Sequence, residues 1–328
     1  MKRTMRAAYF MFSNFSHFGD LWPYYQHFGG LVHTTSKSLA QFLKEKYPSV
    51  AVTLDLAELR RFAPDVMLYA SMQIVEGPWK HVQVFHGASD KPFYFEHRYE
   101  MERYDLCLCY GQREIDKFNK AGFRINAVPA GCARLDMPTA PLPPLFKNQR
   151  PVILYASSFG RHSSVERFMA AVYELSDKKF NVLVKPHPAS AAEGGAAYDL
   201  IKRFADRQGE SFKMVQSDNI VPLIKVCDLM LGDIGGSAYE AAYFDKPVLA
   251  LNPDPAKYAL NEEILSETYL WNFIDVVNEA EELAGFVQDT IEQDPRGTSR
   301  REIAAYSYYK HPELNALQVG IKAIESIL

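Results

Sequence analysis

The sequence predicts an α/β protein built of two Rossmann-like halves, and three observations carry that prediction. The chain has 328 residues, roughly twice a typical domain of about 150. Short, nearly continuous apolar runs alternate with helix-length amphipathic stretches in both halves, the pattern of parallel sheets covered on both faces. Between Met137 and Arg150 four prolines interrupt the pattern and hold the chain extended. That stretch marks the boundary. The expected domains are 1–140 and 151–300, joined by a linker at 141–150 and followed by a helical segment at 301–328 that crosses back to the first domain.

In the first half, strands are predicted at Ala8–Phe12, Val50–Leu54, Val66–Ala70, Val82–Phe85, Leu106–Cys109 and Ile125–Val128. In the second they fall at Val152–Ala156, Asn181–Lys185, Lys213–Val215, Leu229–Leu231 and Val248–Leu251. Open α/β sheets bind ligands at the carboxyl ends of their strands, so a cleft between the halves is expected, lined by the residues just after these runs.

Composition excludes several classes. Hydrophobic residues make up 48% and charged residues 23%, which supplies two cores and argues against disorder. A net charge of −4 gives no field that would draw the chain onto duplex DNA or an anionic bilayer, so no nucleic-acid partner is expected. Lys2, Arg3, Arg6, Arg60 and Arg61 leave open a weak basic patch for peripheral membrane contact, with solvated surface charge as the plainer reading. The apolar stretch after the basic N-terminus, Ala7–Phe12, is about half the length a secretory signal needs, and no later run reaches membrane-spanning length. A cytoplasmic protein is expected. Cys107, Cys109, Cys132 and Cys227 form no paired motif and read as core residues. His17, His27, His33, His81, His97 and His311 have no metal-site spacing, and neither a metal nor another cofactor is expected.

Five segments carry chemistry. His86-Gly87 ends a strand, with Lys91 four residues on, so the histidine would face the cleft as a general base or else serve as a hydrogen-bonding structural residue. Lys185-Pro186-His187-Pro188 repeats the arrangement in the second half, where two prolines fix the turn that presents His187. Asp233, then Gly235-Gly236-Ser237, then Glu240 reads as strand, glycine turn and helix. Bare N–H groups at the helix start suit a phosphate, and Glu240 would reach ribose hydroxyls. Ser157, Ser158 and Arg161 follow the first strand of the second half and form a second candidate phosphate turn. Arg134 in Gly131-Cys132-Ala133-Arg134-Leu135-Asp136 stands near the hinge, to reach a ligand or to pair with Asp136.

Taken in order, these segments resemble the CDP-glycerol glycerophosphotransferase family, which builds teichoic-acid-type polymers on a GT-B fold. The family's HG-x3-K stands here as His86, Gly87 and Lys91, and its G-x-P-R-x-D as Gly131, Arg134 and Asp136 with Ala133 for the proline. Its K-x-HP is Lys185 to Pro188, and its acid, phosphate turn, second acid and KP are Asp233, Gly235-Gly236, Glu240 and Lys246-Pro247. Glycines stand where the family usually has serines, so the Asp-x-Gly-Gly-x3-Glu form is similar to UDP-GlcNAc 2-epimerases, which share the fold.

The resemblance implies transfer of a polyol phosphate from a CDP-linked donor to a polymer or lipid-linked acceptor. His86, His187 and Arg134 would be catalytic. The donor would be held by Gly235, Gly236, Ser237, Glu240, Asp233, Ser157, Ser158, Arg161 and Lys185, and the acceptor side would hold Gly87 and Lys91. A UDP-sugar epimerase or glycosyltransferase, and a catalytically silent nucleotide- or polymer-binding protein, are the alternatives.

Overall fold

The first strand, β1 (Ala7–Met11), is fully buried and lies between β2 (Leu31–Thr34) and β4 (Val66–Tyr69), parallel to both. With β3 (Ala51–Thr53), β5 (Lys80–Gln83), β6 (Leu106–Cys109) and β7 (Ala127–Pro129) they form a seven-stranded parallel sheet of order β3-β2-β1-β4-β5-β6-β7. A second sheet holds β8 (Val152–Ala156), β9 (Asn181–Lys185), β10 (Phe212–Met214), β11 (Leu229–Gly232), β12 (Val248–Leu251) and β13 (Asp275–Val277) in the order β10-β9-β8-β11-β12-β13. Both orders reverse at the first strand of their sheet, so the crevices of the doubly wound fold open beside β1 and β4 and beside β8 and β11. The computed structural model describes residues 5–12, 15–207 and 209–328, so Lys2 and Arg3 of the expected basic patch lie outside it. Of the rest of that patch, Arg6 pairs with Asp65 and Arg61 with Asp55. No helix among the described residues is long and apolar enough to cross a membrane.

Helices fill the crossovers: α1 (Phe18–Phe28), α2 (Lys37–Lys46), α3 (Leu56–Phe62), α4 (Arg98–Met101), α5 (Gln112–Lys120) and α6 (Ala133–Asp136) in the first sheet's region. The second region adds α7 (Val165–Lys178), α8 (Pro188–Glu193), α9 (Ala196–Ala205), α10 (Val221–Val226), α11 (Gly236–Tyr243), α12 (Leu283–Gln293) and α13 (Gly297–Ser307), and α14 (Ala316–Glu325) ends the chain. The longest, α7, shows why these sequences are helical. Val165, Phe168, Met169, Val172 and Leu175 recur at helical spacing and are buried against Val182, Val184 and Leu229.

The chain divides into two units. One holds the residues up to His86, Pro92–Met137 and Tyr306–Leu328; the other holds Gly87–Lys91 and Pro138–Ala305. Within the first unit, α14 packs with α1, α6 and β6. An Asn315–Gln318 capping box starts it, Asp136 accepts the Ala316 N–H at 2.8 Å, and Gly320 leaves room for the Tyr24 hydroxyl.

Two strands escape the sequence pattern. β2 follows Gly29-Gly30 and carries His33 inside a four-residue run, and β13 has only three residues. The predicted strand Val82–Phe85 runs too far: β5 stops at Gln83, because Phe85 takes a left-handed φ of 60°.

Candidate active site

In the first unit the site is built around His86. Phe85 is not glycine, so its left-handed conformation costs about 1–2 kcal/mol. Two things enforce it: the Phe85 ring is buried among Tyr94, Phe118 and Tyr110, and its N–H donates to Gln83 Oε1 at 2.9 Å. Gln83, wholly buried, donates its own Nε2 to the carbonyl oxygen of Ser71 at 3.0 Å. The turn therefore hangs from the end of β4, and it delivers His86 there as well. His86 Nδ1 stands 2.6 Å from the Ala70 carbonyl oxygen and 3.1 Å from Tyr94 Oη.

A carbonyl oxygen only accepts, so Nδ1 carries the proton and Nε2 keeps its lone pair in the neutral ring. The His17 ring, just before α1, stacks on His86 with centroids 4.1 Å apart. Burial drives the Tyr94 hydroxyl well above its ordinary pKa, so it stays a neutral neighbour.

Arg134 is tied to α1 in this unit. Its Nε donates to Asp20 Oδ1 at 2.9 Å in a nearly buried ion pair that also takes the Tyr110 hydroxyl at 3.3 Å. Asp136, two residues on, accepts the Ala316 N–H at the start of α14. Gly131 (φ 78°) lies so close to the C-terminal segment that a Cβ would stand 2.7 Å from the Tyr309 carbonyl oxygen. The Gly131–Asp136 segment is thus a seat for α1 and for the returning C-terminus.

In the second unit, the turns after β8 and β11 are stapled together by Asp233. Its Oδ2 accepts the N–H groups of Ser158 at 2.7 Å and Ser164 at 3.1 Å, and its Oδ1 accepts the Ser164 hydroxyl. Burial raises this carboxyl from 3.8 to about 6 against those hydrogen bonds and the pull of Lys91. Asp233 therefore shapes the turn. Ser158 Oγ donates to the Ile234 carbonyl and accepts from Lys91 Nζ at 2.7 Å. Lys91 was expected on the acceptor side; it and Gly87 lie instead in the second unit, at this turn. Burial lowers the Lys91 pKa, while Asp233 and Glu267 counter that effect.

The segment carrying Lys91 is anchored by Asp90, which accepts the Tyr239 hydroxyl at 2.6 Å and the Leu270 N–H at 3.1 Å. Its backbone runs against α11: a Cβ on Gly236 would stand 2.8 Å from the Ala88 carbonyl oxygen, which explains one of the two glycines. Gly235, with φ 176°, is extended and under no such constraint. Ser237 sits half-buried in the first turn of α11, and Glu240 is buried on the same helix.

Arg161 is exposed and paired with Glu267 at 2.6 Å, and Glu267 also lies 3.3 Å from His162 Nε2. Burial and nearby Lys91 lower the His162 pKa. Ser157 is buried and gives its N–H to the Lys185 carbonyl, and the Lys185 ammonium lies 3.5 Å from the Pro186 carbonyl. Lys246 donates to the Cys227 carbonyl at 2.8 Å, a structural tie. His187 follows β9 and is the N-cap of α8. Its Nδ1 accepts the Ala189 N–H at 3.1 Å, so the ring proton sits on Nε2, the reverse of His86. Its ring stacks on Phe159.

The sequence reading missed Gln83, Asp90, Tyr94, His162, Ser164 and Glu267. Gln83 alone left a signal, as a lone amide between Val82 and Val84 in an apolar strand.

Known structures share this architecture. A variant of the wall teichoic acid polymerase TagF is 12% identical, with a TM-score of 0.66 over 99% of this chain and 89% of that one. A protein assigned as a UDP-N-acetylglucosamine 2-epimerase from Listeria monocytogenes is 13% identical, with a TM-score of 0.67 over 99% and 96%. HepE from Anabaena, in complex with UDP-glucose, is 13% identical, with a TM-score of 0.57 over 98% and 99%. At such identities the likeness is one of fold, the GT-B class. No curated protein sequence matches the chain. The sequence profile of the CDP-Glycerol:Poly(glycerophosphate) glycerophosphotransferases matches residues 144–324, more than half of the chain, so the protein belongs to that family of transferases.

Proposed function

We propose that this transferase moves a polyol phosphate from a CDP-linked donor to an acceptor hydroxyl on a polymer or lipid-linked intermediate, in cell-surface polymer synthesis on the cytoplasmic side. The acceptor oxygen bonds to the phosphorus that carries the polyol, the P–O–P bond breaks, and CMP leaves. The acceptor proton passes to His86 Nε2. His187 Nε2–H donates to the departing phosphate oxygen. The opposite tautomers of the two histidines carry this assignment, because a base needs an unprotonated nitrogen and a phosphate oxygen needs a donor. Lys91, the N–H groups at Gly235–Ser237, and Arg161 once it leaves Glu267 are assigned to the diphosphate, and Glu240 to the ribose. Arg134 is assigned to the ion pair with Asp20, for the reason its geometry gives.

The epimerase reading rests on the Gly-Gly turn, and the Ala88 carbonyl accounts for Gly236 without a uridine donor. A thermal-shift panel of CDP-glycerol, CDP-ribitol, CMP, UDP-GlcNAc and UDP tests the donor. A ligand at about 100 times its Kd adds roughly 2.7 kcal/mol. Stabilisation by the cytidine compounds alone is expected. Stabilisation by uridine compounds would favour the epimerase or glycosyltransferase, and binding without CMP release under any acceptor would favour a silent binder.

A further inference from the structure

A cavity of about 870 Å³ lies wholly in the second unit and takes no part in the chemistry above. It follows β13, the edge strand of its sheet, and is walled by the chain between β12 and β13, by Phe286 of α12, and by Arg296. We propose that it binds a neutral, hydroxyl-rich ligand, a glycan or polyol segment, and that it holds the uncharged part of the acceptor. The second half of this proposal rests on the transferase reading; the binding itself does not.

The lining fits that chemistry in three ways. Tyr269, Trp271 and Phe273 supply aromatic surface for the C–H faces of a sugar or polyol. Asn272 spends both amide hydrogens on the carbonyls of Asn261 and Tyr269, at 2.8 Å each, which fixes its orientation and leaves Oδ1 as an acceptor. Asn278 is held the other way: its Oδ1 accepts from Asn252 at 2.8 Å, and Nδ2 is left to donate. A rigid acceptor and a rigid donor beside aromatic walls suit hydroxyl groups, which offer both roles. Tyr258, also on the wall, is 5% exposed, and its buried hydroxyl meets no protein partner.

Charge excludes a polyanion. The cavity's cation, Arg296, is bound to Asp275 at 2.8 Å, and Glu262 adds a further acid, so a phosphate would find no surplus positive charge. Position connects the cavity to the transfer chemistry. Leu270, between the wall residues Tyr269 and Trp271, donates its N–H to Asp90, the neighbour of Lys91.

The test uses the full chain with cellotriose, chitotriose and uncharged oligoglycerol as neutral probes, against an oligomer of glycerol phosphate. Binding is read by calorimetry and by tryptophan fluorescence, since Trp271 is one of only three tryptophans. At least one neutral probe is expected to bind with Kd of about 1 mM or tighter and to change the fluorescence. Asn272→Ala and Asn278→Ala should each weaken it about tenfold, the loss of one hydrogen bond, while CDP-glycerol affinity stays unchanged. Trp271→Phe should bind and lose the optical signal. Three results would overturn the site: tighter binding of the glycerol phosphate oligomer there, neutral binding indifferent to both asparagine variants, or no neutral binding by a chain that still binds CDP-glycerol. Neutral binding by a chain that ignores CDP-glycerol would keep the site and remove its assignment to the acceptor.

Discussion

The Nδ1 atom of His86 lies 2.6 Å from the carbonyl oxygen of Ala70, and this one contact decides which ring nitrogen can accept a proton. The strand end that supplies Ala70 also supplies the Ser71 carbonyl to Gln83, so a single element sets both the turn before the histidine and the ring's tautomer.

Gln83→Leu removes the acceptor for the buried Phe85 N–H and the donor to Ser71. The unsatisfied group should cost about 1–3 kcal/mol of stability. A shift of about 1 Å in His86 should lower kcat on the order of 10²-fold. Donor affinity, which the proposal assigns to the other unit, should not change. Steady-state kinetics with donor titration checks this: an equal loss in kcat and donor affinity would mean general unfolding and not misplacement.

Gly235 and Gly236 should respond differently to serine. At Gly236 the new Cβ meets the Ala88 carbonyl at 2.8 Å, and overpacking of this kind costs about 1–3 kcal/mol. At Gly235 the nearest atom would be Ser158 Oγ at 3.6 Å, an ordinary contact, so Gly235→Ser should stay within about 0.5 kcal/mol. Denaturant melts of the two variants decide it, and equal effects would refute the steric account.

Arg134→Met strands the Asp20 carboxylate among buried neighbours. Breaking such a pair typically costs about 3–5 kcal/mol, and this one, with side chains 13% and 7% exposed, should approach that range. Stability should fall while CDP-glycerol binding, measured below the melting transition, holds. A stable variant that has lost turnover would return Arg134 to the reaction.

Asp233 makes a pH prediction. Between pH 3.8 and about 6 the folded protein holds a proton here that the unfolded chain has released. Its contribution to stability is therefore full below 3.8 and is lost as the pH rises through about 6. The melting temperature of the wild type minus that of Asp233→Asn should fall across this window and level off above about pH 7. A difference that rises with pH would contradict the buried carboxyl.

Much of this was legible in the sequence. Apolar runs such as Leu229–Gly232 and Val248–Leu251 are buried on both sides, so periodicity alone marked them as parallel strands. His86 and His187 could be read from their place at strand ends. What the sequence hid was the use of each polar group. Asp233 looks like a ligand-binding acid and serves as a staple, because only the fold brings Ser158 and Ser164 to it across more than sixty residues of chain. Arg134 and Asp136 look like a surface pair, yet they hold α1 and α14 through partners 114 and 180 residues away. Lys91 follows a first-half strand yet serves the turn of the second unit, a consequence of the Asp90 anchor that no local pattern announces.

The most direct test of the central claim is CMP release from CDP-glycerol in single turnover by the wild type, His86→Ala and His187→Ala, with donor affinity measured in parallel. Loss of a general base typically costs about 10²–10⁴-fold, so His86→Ala should lose rate in that range with donor affinity nearly unchanged. His187→Ala should lose rate and bind the donor more weakly, because the proposal sets its Nε2–H against the phosphate in both ground and transition states. Turnover of His86→Ala at the wild-type rate would contradict the assignment of the unprotonated Nε2 as the base.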